Sequence, residues 1–156
     1  SVVPSSDKNT PVTYMLQQGE HSLDGNYSYI PQFQSSAPSP YMWPFRPDAK
    51  NHMWILLDAG TTQSSENTFL IMNYSNKKVL DGNVDSVGQM DIKHKSPYLT
   101  AYSATKVQPN QCWQFIKWPE DSADLLRNGV YMIQNCQSEQ FLKRNQTLLF
   151  MQVTHI

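Results

Sequence analysis

The chain has 156 residues, which is enough for one domain with its own core. It is 12% aromatic and 16% charged with a formal net charge of −1, so its charge balance excludes an electrostatic footprint for nucleic acid or an anionic membrane surface. Its apolar runs reach only about four residues, whereas a membrane-spanning helix needs roughly twenty. We therefore expect one soluble domain without a transmembrane segment.

Apolar residues recur at every second position or in short runs broken by Gly, Pro, Asn and Ser, which is typical of β-strands joined by turns. The fold is predicted to be all-β. In chain order we expect an N-terminal extension over residues 1–12 and a single domain over residues 13–156. The domain divides into three units, over about residues 13–58, 69–118 and 130–156.

Internal repeats define these units. Leu-Asp-Gly-Asn at residues 23–26 recurs at residues 80–83, and Ser-Pro-Tyr at residues 39–41 recurs at residues 96–98, with the same offset. Units 1 and 2 then close on Trp54 and Trp113. Three copies of short strands cannot bury their apolar faces singly and must close against one another. This pattern predicts a β-trefoil with three pseudo-repeats, since a three-bladed propeller lies below the usual blade number.

The third unit is predicted to be incomplete. It begins at residue 130 with a copy of residues 13–17, but the sequence stops at Ile156, before a closing tryptophan. An open trefoil would expose a strand edge, which is a liability unless another segment covers it. We predict that residues ahead of Thr13 or a partner chain occupy this gap. The start at Ser1 suits a mature secreted chain or a trimmed piece, and we expect a secreted or extracellular location.

The end of unit 2 carries a family resemblance. Asn110, Gln111 and Trp113 form an Asn-Gln-x-Trp string that resembles the Gln-x-Trp signature of ricin-B-type lectins, over roughly residues 13–156. On a strand, Gln111 and Trp113 share one face, and we predict that Trp54 and Trp113 fill the core while the Gln111 amide anchors backbone or a hydroxyl. Unit 1 departs from the signature, because His52 replaces the glutamine.

The resemblance implies sugar sites made of an aspartate after leucine, an aromatic ring on the third strand and an asparagine before Gln-x-Trp. The implied carbohydrate-binding residues are Asp24, Trp43 and Asn51 in unit 1, and Asp81, Tyr102 and Asn110 in unit 2. Trp43 and Tyr102 are equivalent by spacing, since each precedes its closing tryptophan by the same number of positions. Lys143 replaces the aspartate in unit 3, which predicts no site there. The alternative is that Asp-Gly-Asn forms a plain β-turn.

A proline-rich stretch carries further aromatic residues: Tyr27, Tyr29, Phe33, Tyr41, Trp43 and Phe45. These rings form either an exposed contact patch or a satellite core. The combination of a lectin-like trefoil and an aromatic patch is similar in general plan to the cell-binding subunits of cytolethal distending toxins. That resemblance implies a non-catalytic targeting subunit that binds cell-surface glycans and companion protein subunits. A trefoil that binds protein and has no sugar site is the alternative.

Catalysis is not predicted. The four histidines lie far apart in sequence, and no metal-binding or nucleophile motif is present. We expect no enzyme activity and no cofactor. The two cysteines do not define the redox compartment. Because Cys112 falls at the last strand of unit 2 and Cys136 just after the first strand of unit 3, we predict a disulfide between them.

Overall fold

The structure, a computed structural model, describes residues 2–4, 12–25, 40–59, 68–86, 95–118, 130–145 and 148–152. Within these residues the regular structure is β-strand, apart from short 3-10 helices, as predicted. Unit 1 contains β2 (Tyr14–Gln18), β3 (His21–Asp24), β4 (Tyr41–Pro44) and β5 (Trp54–Asp58), and unit 2 contains β6 (Thr68–Asn73), β7 (Val79–Ser86), β8 (Lys95–Thr100) and β9 (Trp113–Trp118). Unit 3 contains β10 (Val130–Asn135), β11 (Phe141–Asn145) and β12 (Leu148–Gln152), and β1 (Val2–Pro4) precedes unit 1.

The strands pair in the same way in successive units. The first and last strands of a unit are antiparallel, with Tyr14 opposite Trp54 in unit 1 and Phe69 opposite Trp113 in unit 2. The last strand of one unit also pairs with the first strand of the next, with Trp54 opposite Asn73 and Trp113 opposite Asn135. This repeated register gives the pseudo-threefold arrangement of a β-trefoil and confirms the predicted fold class.

The core repeats with the same symmetry, because corresponding positions of the units meet at the centre. Its buried members are Leu16, Leu23, Met42, Trp54, Ile71, Leu80, Leu99, Trp113 and Phe115. Leu23 and Leu80 are counterparts on the second strands, and the half-buried Leu142 packs against the cluster from unit 3. The alternation of each strand therefore points one row of apolar side chains to the axis and the next row outward.

Strand β1 lies antiparallel on β2, with Val2 opposite Leu16 and Val3 opposite Met15. Elsewhere in the fold the last strand of one unit pairs with the first strand of the next, as β5 pairs with β6 and β9 with β10. Because β2 is the first strand of unit 1, its partner β1 takes the position that a last strand of unit 3 would have. The prediction that residues ahead of Thr13 or a partner chain complete unit 3 stays a prediction. Pairing of β1 with β10, which would complete the relation, is not found among the described residues.

Each asparagine of the predicted sugar sites lies on a short 3-10 helix before the closing tryptophan, Lys50–His52 in unit 1 and Pro109–Gln111 in unit 2. No helix within the described ranges is long and apolar enough to cross a membrane. The predicted aromatic patch is described only in part, since Tyr27, Tyr29 and Phe33 lie outside the described residues.

Candidate functional site

Unit 1 places the predicted site residues on the outer face of the β3–β4 hairpin. Leu23 pairs with Met42, and both side chains enter the core. The adjacent positions point the other way, so Asp24 opposite Tyr41 and Ser22 opposite Trp43 share the outer face. The Trp43 ring is 44% exposed, and it meets Tyr41 edge-on with ring centroids 5.7 Å apart. The site therefore combines an exposed aromatic surface with polar groups beneath it.

The Asp24 carboxylate is held from the 3-10 helix of unit 1. Asn51 Nδ2 donates a hydrogen bond of 2.7 Å to Asp24 Oδ1, and His52 Nε2 lies 3.4 Å from Asp24 Oδ2. Although that separation is an ion-pair distance, Nε2 makes no hydrogen bond within the described residues, while Nδ1 bonds the Ser22 hydroxyl. Asp24 is only 3% exposed, so its main effect is to orient Asn51.

Unit 2 repeats the aspartate–asparagine pair with different support. Asn110 Nδ2 donates a hydrogen bond of 2.6 Å to Asp81 Oδ1. The backbone N–H of Asn83 donates to the same oxygen at 2.8 Å. The Thr100 hydroxyl donates to Asp81 Oδ2 at 3.0 Å, and Gln111 Nε2 donates to Thr100 Oγ1 at 3.1 Å. Asp81 is 6% exposed. The glutamine of the signature thus anchors the third strand, whereas His52 in unit 1 contacts the second strand.

The structure overturns the equivalence of Trp43 and Tyr102 that spacing predicts. Strand register matches Tyr41 with Tyr98, because they oppose Asp24 and Asp81 respectively. Trp43 therefore corresponds to Thr100, and Tyr102, two residues beyond β8, corresponds to Phe45. The spacing argument fails because unit 2 is two residues longer than unit 1 between the third strand and the closing tryptophan. Tyr102 remains 37% exposed, but unit 2 has no aromatic ring at the Trp43 position.

The closing tryptophans are core residues, as predicted. Trp54 and Trp113 are both 0% exposed. Each indole N–H donates a 2.9 Å hydrogen bond to the carbonyl of the leucine that precedes the site aspartate, Leu23 in unit 1 and Leu80 in unit 2. The same ring that fills the core therefore fixes the strand that carries the aspartate, so these tryptophans support the sites without contacting a ligand.

The glycine of Leu-Asp-Gly-Asn is required by a close contact and not by a turn. Gly82 lies inside β7, and Gly25 follows directly after β3. A Cβ atom at Gly25 would lie 2.2 Å from Asn73 Nδ2, and one at Gly82 would lie 2.2 Å from Asn135 Nδ2. Asn73 Nδ2 also donates to the Asn51 carbonyl at 2.9 Å. The first strand of each following unit therefore buttresses the site of the unit before it.

Sequence reasoning missed these two asparagines. Each is 0% exposed and accepts backbone hydrogen bonds within its own turn, with Asn73 Oδ1 at 3.0 Å from Ser75 N and Asn135 Oδ1 at 3.0 Å from Gln137 N. An alignment of the first strands of units 2 and 3 places both asparagines at the same position, and that signal could have found them. Tyr41 was noted only as part of the aromatic stretch, but burial, reinforced by the Asp24 carboxylate, raises its pKa above the usual tyrosine value.

The predicted disulfide is absent from the structure, in which Cys112 and Cys136 are both in the thiol form. Cys112 is fully buried, and its Sγ contacts the Gln108 carbonyl at 3.5 Å. The two residues are nevertheless neighbours, because the Cys136 amide donates to the Cys112 carbonyl at 3.0 Å. The spacing argument placed them correctly side by side but did not determine whether a covalent bond forms.

Unit 3 places Lys143 at the position of Asp81. Phe141 pairs with Gln134 in unit 3 as Val79 pairs with Met72 in unit 2, so Phe141 and Val79 are equivalent. Lys143 and Asp81 each lie two residues further along the strand and are therefore equivalent too. The expectation that unit 3 carries no sugar site remains a prediction. Among the described side chains, no group of three or more His, Cys, Asp or Glu residues is arranged to hold a metal ion.

Solved structures with the same fold come from a designed protein, a lectin and a toxin. A designed threefold-symmetric protein, ThreeFoil, has a TM-score of 0.56 at 15% identity, over 86% of this chain and 82% of that chain. The Polyporus squamosus lectin bound to the human-type influenza-binding epitope Neu5Acα2-6Galβ1-4GlcNAc has a TM-score of 0.60 at 12% identity. The Haemophilus ducreyi cytolethal distending toxin has a TM-score of 0.54 at 9% identity, over 92% of this chain and 73% of that chain.

The match to the Polyporus lectin covers 97% of this chain but 46% of the lectin, so the chain spans about half of that protein. No protein-family model matches the sequence, and no curated protein sequence matches it. At these identities the likenesses show the β-trefoil fold, which is shared with a carbohydrate-binding lectin and with a toxin.

Proposed function

We propose that this chain is a carbohydrate-binding module of the ricin-B type and that its principal sugar site lies in unit 1. One observation carries the proposal: the Asp24–Asn51 hydrogen bond and the 44% exposed Trp43 ring belong to one outer face of the β3–β4 hairpin. Saccharide recognition needs this combination, an aromatic surface for the apolar face of a sugar ring and fixed polar groups for its hydroxyls.

The geometry divides the recognition between two groups. The indole face of Trp43 offers a stacking surface, while the half-buried Asn51 side chain offers an amide at the edge of the site. Because Asn51 Nδ2 donates to the enclosed Asp24 carboxylate, the amide orientation is fixed and its Oδ1 remains as an acceptor for a sugar hydroxyl. The aspartate therefore acts as a positioning group.

The second aspartate–asparagine pair supports a weaker site in unit 2. Asp81 and Asn110 have the same hydrogen bond as Asp24 and Asn51. Among the side chains described in unit 2, however, the exposed ring is that of Tyr102, which follows β8 and does not lie on it. A shallow site that buries little ligand surface binds weakly. Two such sites on one rigid domain would gain affinity through avidity on a glycan-dense surface.

We extend the proposal to the setting of the module: a secreted, non-catalytic targeting subunit that attaches companion protein chains to cell-surface glycoproteins or glycolipids. The fold, which is common to a glycan-bound lectin and a toxin, supports this extension. A protein-binding trefoil is the second candidate. Exposed apolar side chains favour it, since Phe45 is 41% exposed and Val12 is 70% exposed.

A glycan array probed with the full chain, followed by titration of the best ligand, tests the proposal. Trp43→Ala should weaken binding about tenfold through loss of stacking, and Asn51→Ala should weaken it further by removing the amide. Phe45→Ala is the matched control, because it removes a neighbouring ring of similar exposure. Full glycan affinity in a folded Trp43→Ala protein, or no glycan binding by the parent chain, would refute the sugar site. Loss of companion-chain binding in Phe45→Ala would favour the second candidate.

A further inference from the structure

Two lysines meet on one tyrosine ring beside the unit 1 site. Lys77 Nζ lies 4.0 Å from the centroid of the Tyr74 ring, and Lys50 Nζ lies 5.9 Å from the same centroid. Both distances fall within the range of cation–π attraction, and both lysines are exposed. We call Lys50, Tyr74 and Lys77 the basic cluster. Two like charges that share one ring repel each other, so an anion bound at the cluster would relieve that repulsion.

The turn that carries Tyr74 and Lys77 is hydrogen-bonded to the backbone of the unit 1 aspartate–asparagine pair and its neighbour. Asn73 Nδ2 bonds the Asn51 carbonyl at 2.9 Å, and Asn76 Nδ2 bonds the carbonyl of Gly25, the residue after Asp24, also at 2.9 Å. These two asparagines belong to the turn that carries Tyr74 and Lys77, while Lys50 immediately precedes Asn51 in the chain. Both lysines therefore lie on backbone that adjoins the aspartate–asparagine pair of unit 1.

Unit 2 has the same backbone without the positive charge. Lys77 and Glu139 occupy corresponding turn positions, with φ of 62° and 61°. The backbone N–H of each donates a 2.9 Å hydrogen bond to the carbonyl of the asparagine that begins its turn, Asn73 or Asn135. At the positions of Tyr74 and Lys50, unit 2 has Cys136 and Pro109. At the positions of the basic cluster the two otherwise similar pairs thus differ in charge, with Lys50 and Lys77 at unit 1 and Pro109 and Glu139 at unit 2.

The Asp24 carboxylate at unit 1 is 3% exposed and already accepts a hydrogen bond from Asn51. A ligand at the surface meets the exposed ammonium groups first. Charges in water are screened over about 8 Å at physiological ionic strength, so only an anionic group bound close to the cluster would be selected.

We propose that the unit 1 site selects acidic saccharides, with a sialic acid carboxylate or a sulfate ester on the basic cluster and a neighbouring sugar hydroxyl on Asn51. This inference rests on the proposed lectin function and adds its ligand class. Each exposed lysine should contribute about threefold to affinity, and the two together about tenfold. The preference should weaken as salt is raised, since the contribution is electrostatic.

The experiment uses an array of matched neutral, sialylated and sulfated forms of the same glycan cores. The parent chain should bind acidic members about tenfold better than their neutral partners, and Lys50→Gln/Lys77→Gln should bind both forms like the parent binds the neutral one. Glu139→Gln is the matched control and should keep the preference. A preference confined to sialylated or to sulfated forms supports the inference and identifies the source of the anion.

Other outcomes separate the two proposals. Equal binding of acidic and neutral glycans by the parent, or an unchanged preference in the double variant, overturns the inference and leaves the lectin function standing. Equal loss of neutral and acidic binding in the double variant also overturns it, because the lysines would then act by contact and not by charge. If the parent binds no glycan, both proposals fail. Thermal unfolding of the double variant should match that of the parent, since both side chains are exposed.

Discussion

The Asn73 side chain packs directly over Gly25, so that a Cβ atom at residue 25 would lie 2.2 Å from Asn73 Nδ2 and 2.4 Å from Asn73 Cγ. Asn73 is fully buried and also bonds the Asn51 carbonyl. It is therefore anchored on several sides and cannot move away at small cost. The contact joins the first strand of unit 2 to the site of unit 1, and Asn135 repeats it over Gly82.

Gly25→Ala and Gly82→Ala should each destabilise the fold by about 1–3 kcal/mol, because the added methyl group overpacks a buried contact. Chemical denaturation with a two-state fit measures the effect. In an Asn73→Ala background the cost of Gly25→Ala should fall, since the clashing amide is gone and the two substitutions are coupled. Strictly additive effects of Gly25→Ala and Asn73→Ala would show that the contact does not exist in solution.

Replacement of either closing tryptophan by alanine should destabilise the fold far more than the same replacement of Trp43. Trp54→Ala and Trp113→Ala remove fully buried rings and the hydrogen bonds to Leu23 and Leu80, and each should cost about 3–5 kcal/mol. Trp43→Ala should change the free energy of unfolding by less than about 1 kcal/mol, because its ring is half exposed. Comparable destabilisation by Trp43→Ala and Trp54→Ala would place Trp43 in the core and remove the stacking surface.

Periodicity within the sequence predicted much of the fold. We predicted three units, an all-β trefoil and a tryptophan core from the offset between the two Leu-Asp-Gly-Asn strings and from the positions of Trp54 and Trp113. This was possible because symmetric packing imposes the same residue types on equivalent positions. The lectin resemblance grouped Asp24 with Asn51 and Asp81 with Asn110, and each of these two pairs is joined by a hydrogen bond in the structure.

Features that depend on contacts between units were not predictable in this way. The role of Gly25 is visible only when Asn73, which belongs to the next unit, lies against it. The match of Trp43 to Thr100 required strand register, because length differences between repeats mislead residue counting. The basic cluster was not predictable because Lys50 and Lys77 are far apart in the sequence, and only the fold brings them to one ring.

Strand β1 should stabilise the domain through its ladder with β2. Deletion of residues 1–11 removes the strand whose backbone pairs with that of β2 at Met15 and Leu16. The expected loss is about 2–3 kcal/mol, from a few backbone hydrogen bonds at about 1 kcal/mol each. Thermal unfolding of the truncated chain measures it, and a synthetic peptide of residues 1–11 added in excess should recover part of the loss. A truncated chain as stable as the parent would contradict this role.

The Cys136 thiol should react slowly and should make stability fall at high pH. Burial, followed by the Coulombic effect of Cys112, raises its pKa to about 11. At pH 8 a thiol with an ordinary pKa of about 8.5 is present as thiolate about two hundred times more often than native Cys136. The thiolate of Cys136 is more basic and therefore about ten times more nucleophilic, which offsets part of this difference in reaction rate. Alkylation of Cys136 in the native protein should therefore be about twentyfold slower than in the unfolded chain.

The same shift gives a stability contribution whose sign follows from proton binding. The native state keeps the Cys136 proton longer than the unfolded state, so the contribution is fully present below about pH 8.5. It is lost as the pH rises through the folded-state pKa of about 11. Cys136→Ala should flatten this part of the pH profile of unfolding relative to the parent. Native-state alkylation of Cys136 at the unfolded rate at pH 8 would show that the thiol is not shielded, whereas failure of both cysteines to react after denaturation without reductant would show that they had formed a disulfide.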